Sequence, residues 1–449
     1  MRYGKGHTLY FLGIGGIGMS ALARYFKQHG VEVSGYDKTP TRLTESLTKE
    51  GIPVHYSDDI LQIPQQIDLA VITPAIPSDL EILKHLRVRG IKLMKRAEVL
   101  GMITSEIPTI AIAGTHGKTT ITSMVAHILH EAGLHITAFI GGIANNFNSN
   151  LVLSEQSSWI VVEADEFDKS FLLLNPDIAV ISSMDADHLD VYGSHALMQQ
   201  QYNQFAAGIK EKGILIHKTA LPITTTRTTS TYNLSGNASV TAKNIKVTDG
   251  TFQFELVAEG HLPHEITMKI PGRHNIENAL AAATVALQVG VSVNDISRAI
   301  ASYSGVWRRF DIRIKTSYHT YIDDYAHHPE ELKACIQTAR ELYPQSQIVG
   351  IFQPHLFTRT RDFMTEFAQS LSDLDTLILL DIYPAREKPI SGVNANELLQ
   401  LCTNNTKFVL SKAETLGFVQ VNRPRVLLTM GAGDIDQLVE PIQKMMSSW

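Results

Sequence analysis

Cysteine is nearly absent: Cys335 and Cys402 are the two in a chain of 449 residues. Two thiols can build neither a disulfide framework nor a cysteine-rich zinc site, and that number suits a reducing compartment. Both read as core residues. Long apolar runs are missing as well. No stretch approaches ~18 uninterrupted apolar residues, and the segment Leu9 to Ile17 carries glycines from Gly13 onward, unlike the apolar centre of a secretory signal. A basic excess is also lacking, since 39 Lys and Arg face 45 Asp and Glu for a net charge of -6. That leaves no broad positive field for nucleic acid or an anionic membrane. The chain is therefore expected to be soluble and cytoplasmic, with neither as a partner. Hydrophobic residues, at 44%, suffice to order the backbone and exclude global disorder. At roughly 150 residues per domain the length suggests about three domains.

The first third reads as strand, glycine turn, helix, strand, acid. Thr8 to Leu12 is a short apolar run, Gly13-Ile14-Gly15-Gly16-Ile17-Gly18 follows, and Met19 to His29 reads as a helix closed by Gly30. Val31 to Tyr36 is a second strand that ends at Asp37, 19 residues after Gly18, the spacing of a dinucleotide fingerprint. Glycines let backbone amides and the helix N-terminus approach a diphosphate, and the acid can accept hydrogen bonds from a ribose or a base. A tight turn without a ligand is the bland alternative. The strand Leu69 to Thr73 runs into Pro74-Ala75-Ile76-Pro77, a break at the carboxyl end of a strand where open α/β sheets bind ligands. Taken alone, this fingerprint suggests a nicotinamide-dependent dehydrogenase, although any nucleotide diphosphate presents the same charge to the turn.

The middle third carries a second phosphate loop. Thr109 to Ala113 is a strand, Gly114-Thr115-His116-Gly117-Lys118-Thr119-Thr120 follows, and Ile121 to Ala132 reads as a helix. Main-chain amides can wrap a polyphosphate here, an exposed Lys118 can neutralise it, and a hydroxyl of Thr119 or Thr120 can ligate magnesium. Ile112 stands where the first glycine of G-x-x-x-x-G-K-[ST] belongs, so this loop is shorter than the ordinary one. Further strands end in Glu163-Ala164-Asp165-Glu166 and in Met184-Asp185-Ala186-Asp187-His188-Leu189-Asp190. Glu163 is the best magnesium ligand among them and His188 a candidate for a second ion, while the aspartates also fit a solvated helix start. Thr219 to Pro271 is Thr-rich and alternating, with a turn at Asp249-Gly250, and resembles a β-meander. Asn278, in Gly272-Arg273-His274-Asn275-Ile276-Glu277-Asn278-Ala279, can either cap the helix that follows or read an adenine edge.

In the last third, Tyr321 to Tyr325, Gln347 to Phe352, Thr376 to Leu380 and Val426 to Met430 are predicted strands separated by helices. Their ends hold Asp323-Asp324-Tyr325-Ala326-His327-His328-Pro329 and Gln353-Pro354-His355-Leu356-Phe357-Thr358-Arg359-Thr360-Arg361. No H-E-x-x-H or other metal spacing fits the paired histidines. Arg308-Arg309-Phe310-Asp311 lies before this unit, where a cation can reach a phosphate or simply form a solvated charge pair.

Together, Gly13 to Ser20, Gly114 to Thr120, Asp185 to Asp190, Gly272 to Ala279, Arg308 to Asp311, Asp323 to Glu331 and Gln353 to Arg361 resemble the motif series of the Mur ligase family, in order along the whole chain. The wording G-I-G-G-I-G-M-S, G-T-H-G-K-T-T, D-A-D-H-L-D and D-D-Y-A-H-H-P is similar to the branch that adds L-alanine to UDP-N-acetylmuramate in peptidoglycan synthesis. The branch that attaches recycled L-Ala-D-Glu-diaminopimelate tripeptide is the alternative. The resemblance implies an α/β fold of three domains: a Rossmann-like muramate-nucleotide domain at 1–106, a central P-loop-type ATPase domain with a β-rich insertion at 107–311, and a Rossmann-like C-terminal domain at 312–449. It implies ATP-dependent amide formation through an acyl phosphate, with ATP and Mg2+ as cofactors and no nucleic acid or membrane.

By the same resemblance, Lys118, Glu163, His188 and Arg309 are catalytic, and Thr119, Glu163 and His188 hold metal. Gly114 to Thr120, Asn278, Arg309 and Asp324 contact ATP. Gly15, Gly16, Ile17, Gly18, Asp37, Thr73, His327, His355 and Arg359 face the substrates. Two departures stand out. Asn203 occupies the position of a carbamylated lysine found in several siblings, and Leu356 replaces an arginine that follows Q-P-H in some relatives. Two other readings compete: a nicotinamide oxidoreductase, which leaves Lys118 idle, and a non-catalytic nucleotide-binding protein, which has no need of Glu163 or His188.

Overall fold

The computed structural model describes residues 3–187, 189–248, 251–385 and 387–449. His188 and the turn expected at Asp249-Gly250 lie outside the described residues. The chain divides into two compact units. The first comprises Met1–Thr241, Ala258–His261 and Asn278–Ala299, and the second Ala242–Val257, Leu262–Glu277 and Ile300–Trp449.

The first unit is built on two sheets. One runs in the order Val54–His55, Glu32–Tyr36, Thr8–Leu12, Leu69–Ile72 and Leu93–Lys95, all parallel. The chain leaves Thr8–Leu12 toward one side and later returns to its other side, so a switch point opens at the carboxyl end of that strand, beside the glycine turn. In the other sheet Thr109–Ala113 is flanked by Trp159–Glu163 and Ile178–Ile181, with Ile136–Ala144 and Ser149–Val152 on one side and Ile214–Lys218 and Thr228–Asn233 on the other. Its central strands are buried on both faces, which is why they read as continuous apolar runs. Phe26 and Leu22 share a core with Ala111, Phe139 and Ile160. Asn150 donates to the Ile17 carbonyl at 2.6 Å and to Ser20 Oγ at 2.9 Å, so the first two sheets belong to one unit.

The meander expected from Thr219 onward is corrected in part. Thr228–Asn233 runs parallel to Ile214–Lys218, and the start of Val240–Thr248 runs parallel to Thr228–Asn233. Thr251–Ala258 and His264–Met268 form an antiparallel pair as expected. Alternation reports that one face of a strand is buried, not which way its neighbour runs.

The second unit's main sheet has the order Asp311–Lys315, Thr320–Asp324, Val426–Met430, Ile348–Phe352, Thr376–Leu379 and Thr406–Val409, antiparallel at the first pair and parallel elsewhere. Apolar layers pack on both of its faces. Cys335 and Cys402 are buried free thiols. Among the described residues no helix is long and apolar enough to cross a membrane.

Candidate functional site

The phosphate loop sits at the carboxyl end of Thr109–Ala113 and opens the helix Lys118–Glu131, three residues earlier than its apolar period suggested. Gly117 takes φ +82°, a left-handed conformation that disfavours side chains, and a Cβ there would lie 2.6 Å from Asn278 Oδ1. Asn278 is the sixth residue of the helix Arg273–Gln288, so it does not cap that helix and its amide faces the loop. Ser183 braces the turn: its carbonyl accepts the Thr115 amide at 3.3 Å and its hydroxyl the His116 amide at 2.8 Å. Thr115 Oγ1 donates to the Asp185 carbonyl at 2.9 Å, and His116 Nε2 lies 3.6 Å from Asp185 Oδ2. Thr120, in the first turn of that helix, is buried.

Thr119 and Glu163, 44 positions apart in the chain, meet here. The Thr119 hydroxyl lies 3.1 and 3.0 Å from the two Glu163 carboxylate oxygens, and the Gly141 amide donates to Oε2 at 3.0 Å. Among the described residues no group of three or more His, Cys, Asp and Glu can hold a metal ion. Magnesium, however, needs only one or two protein oxygens beside phosphate and water, and the hard donor pair of Thr119 and Glu163, backed by the Gly141 amide, fits that demand.

Lys118 is not the exposed loop lysine expected. Its side chain is 14% exposed, and its ammonium donates to the carbonyls of Gly114 at 2.8 Å and Thr115 at 3.4 Å and to Glu166 Oε1 at 2.8 Å. Burial works against its charge, but Glu166, Glu163 and Asp165 outweigh that and raise its pKa. Burial pushes the Glu166 carboxyl up to about 7 even beside Lys118.

The glycine turn of the first sheet is braced by its acid. Asp37 Oδ2 accepts the Gly15 amide at 2.8 Å and Oδ1 the Thr39 amide at 3.2 Å. Gly16 is the N-cap of the helix Ile17–Gln28 and brings no capping side chain. Gly18 lies beneath Arg96, whose guanidinium pairs with Asp165 at 3.1 Å, and Thr73 packs against Gly13. A Cβ on Gly15 would come within 2.6 Å of Thr44 Cγ2 and 2.8 Å of Asp37 Oδ2. Gly15→Val should therefore distort this turn and, if it holds the uridine nucleotide sugar as the motif resemblance implies, weaken binding of that nucleotide about tenfold or more, while leaving ATP binding unchanged. Calorimetric titration of each nucleotide checks this, and the reverse pattern would exchange the two assignments.

In the second unit a network of acids sets the backbone around Arg309. Arg308 and Phe310, at φ +58° and +47°, flank it in the left-handed region, which costs ~1–3 kcal/mol per residue and is tolerated where the surroundings impose it. Arg308 Nε donates to Asp323 Oδ2 at 2.9 Å, and the Phe310 and Ala326 amides each donate to Asp324 at 2.7 Å. Both Asp324 oxygens are thus engaged by backbone. Arg309 lies 3.7 Å from Glu331 and over the Tyr325 ring at 5.2 Å. Glu331 also accepts the His327 amide at 3.0 Å. His327 and His355 have ring centroids 6.2 Å apart, and Arg359 Nη1 is 3.5 Å from His355 Nδ1. Leu356 takes φ +72° at the start of the helix Phe357–Asp362.

Burial raises Asp324 to about 7, against Arg309 and the two amides, and burial with Arg309 lowers His274 to about 4. A carboxyl whose folded pKa lies above its unfolded value favours folding at low pH. For Glu166 and Asp324 that advantage is lost as pH rises from about 4 to about 7. His274, with its ordinary value of 6.5, acts in the opposite direction below that pH. With the raised carboxyls of Glu166, Asp324 and Asp323 set against the lowered imidazoles of His274 and His55, the unfolding temperature of the ligand-free protein should fall between about pH 5 and 7 and level off above. A steady rise over that range in a thermal scan would show Glu166 and Asp324 ionised in the folded chain.

Residues 8–107 match the family described as "Mur ligase family, catalytic domain", residues 112–286 "Mur ligase middle domain" and residues 308–433 "Mur ligase, glutamate ligase domain". The chain belongs to the Mur ligase family. It is 45% identical to the UDP-N-acetylmuramate--L-alanine ligase of Christiangramia forsetii over 97% of this chain and 96% of that protein. It is 44% identical to the ligase of that name from Flavobacterium johnsoniae over 100% and 99%. The crystal structure of UDP-N-acetylmuramate-alanine ligase MurC from Thermotoga maritima has a TM-score of 0.84 and 26% identity, covering 98% of this chain and 100% of that one.

Within this Mur ligase fold Asn203 is absorbed by structure: Nδ2 donates to the Gln199 carbonyl at 3.1 Å and Oδ1 accepts the Thr224 amide at 2.8 Å. Three residues without an expected role emerge at the Mur ligase loops, namely Arg96 over Gly18, Glu166 on Lys118 and Glu331 between Arg309 and His327. For Glu331 a signal exists in the sequence, because an acid three residues after His328 is the second half of a capping box.

Proposed function

We propose that this chain is the ATP-dependent ligase that joins L-alanine to the carboxylate of UDP-N-acetylmuramate, a step of peptidoglycan precursor synthesis. One observation carries the reading: the Thr119–Glu163 oxygen pair stands beside Lys118 at the mouth of a phosphate loop, in a chain 45% identical across its length to a ligase of that name. A carboxylate is a poor acylating agent. Transfer of the γ-phosphoryl group to it creates an acyl phosphate, and the amine of L-alanine then displaces phosphate. The first step depends on positioning and charge neutralisation. Lys118 supplies a cation to the phosphates, the loop amides and Asn278 seat the nucleotide, and Thr119 and Glu163 hold Mg2+. Mg2+ when bound neutralises phosphate charge.

We assign the muramate nucleotide to 1–106 with Gly15 to Gly18, Asp37 and Thr73, ATP to 107–311, and the amino acid to 312–449, where His327, His355 and Arg359 gather and Glu331 pairs with Arg309 of the preceding segment. His188 is proposed as a metal ligand from its motif. We place the reaction in the cytoplasm, a reducing compartment that suits the two free thiols Cys335 and Cys402. Phosphate release should be measured with ATP, Mg2+ and UDP-N-acetylmuramate, offering each amino acid and the recycled tripeptide separately. Release with L-alanine is expected. Release with the tripeptide alone would move the chain to the sibling branch, and NADH oxidation without phosphate release would overturn the ligase reading.

A further inference from the structure

Glu166 has no part in the reaction as outlined, yet it holds the lysine on which that reaction depends. An ammonium has three donors. Lys118 directs two toward the carbonyls of Gly114 and Thr115, which belong to the loop itself, and the third toward Glu166 Oε1 at 2.8 Å. A phosphate oxygen arriving at the loop must compete for that third donor.

The carboxylate is built into its place. Glu166 is 2% exposed, and Tyr192 anchors its backbone carbonyl through the phenol hydroxyl. The neighbouring acid is engaged elsewhere, as Asp165 pairs with Arg96 and caps the Phe167 amide at 3.0 Å. Burying an ion pair commonly stabilises a fold no better than apolar residues of the same size, so stability alone gives little reason for this one.

We propose that Glu166 is a positioning residue for phosphoryl transfer: it holds the Lys118 ammonium over the loop in the nucleotide-free chain and yields that donor to a phosphate oxygen of the incoming nucleoside triphosphate. The inference rests on the ATP-ligase reading above. Glu166→Gln keeps the size and an acceptor but removes the competing charge. ADP should then bind the full-length variant about fivefold more tightly by calorimetry, with a parallel fall in the KM for ATP and no rise in kcat. Glu166→Asp keeps the charge on a shorter stem and should tighten ADP about twofold. It decides the matter if the Gln variant does not fold. A residue that merely supports the fold would weaken binding when altered, so unchanged or weaker ADP affinity in the folded variants overturns the proposal. Failure of the unaltered chain to bind ADP at all would instead overturn the ATP-ligase reading.

Discussion

Lys118→Ala is expected to lower ligation at least about a hundredfold, a loss of ~2.7 kcal/mol of transition-state stabilisation. The ammonium is held at the loop by carbonyls of the loop itself, Gly114 and Thr115, so a nucleotide seated there meets a cation already in place. The variant should also lose stability, because the partner left behind is a 2% exposed carboxylate. Breaking a buried pair can cost ~3 kcal/mol or more, reduced here because Glu166, with its pKa near 7, can take up a proton. Combining Lys118→Ala with Glu166→Gln should restore the unfolding temperature without restoring activity. Single-variant activity above about a tenth of wild type, a barrier change under ~1.4 kcal/mol, would remove Lys118 from the chemistry. Recovery of both properties in the double variant would reduce the pair to a structural contact.

Gly141→Ala is expected to act nearly as strongly although position 141 carries no side chain. The strand Ile136–Ala144 runs beside Trp159–Glu163, and a Cβ on residue 141 would lie 2.0 Å from Glu163 Oε2 and 2.6 Å from its Cδ. No rotation of a methyl group relieves such an overlap, so the carboxylate must leave Thr119 and the Gly141 amide. The oxygen pair proposed for Mg2+ is then dismantled with its charge intact. Activity at a fixed low Mg2+ concentration should fall about a hundredfold, and the Mg2+ needed for half-maximal rate should rise about tenfold. The unfolding temperature should barely change, since the carboxylate can swing aside. Glu163→Gln, which leaves the oxygen in place and removes the charge, should raise the Mg2+ requirement as well. Wild-type Mg2+ dependence in a folded Gly141→Ala protein would exclude Glu163 as a ligand.

What the sequence determined by itself is the local grammar of the chain. Apolar runs that end in glycine and pass into a helical period placed both loops, because strand, turn and helix are each specified by residues a few positions apart. Thr109–Ala113 and Val426–Met430 were legible to the residue. Lys118, Thr119 and Glu163 were legible as candidates because phosphate and magnesium chemistry demands those side chains at the ends of strands. The tertiary structure alone decided partners distant in the chain: Glu166 on Lys118 across 48 positions, Gly15 on Asp37 across 22, and the Glu163 carboxylate on the Gly141 amide across 22. It also decided that Asp324 braces the backbone at Phe310 and that Thr228–Asn233 runs parallel to its neighbour. The physical reason is common to all of these. A strand's alternation or a carboxylate's charge says what must be buried or paired, but strand order and packing choose the partner, and they are set by the whole chain at once.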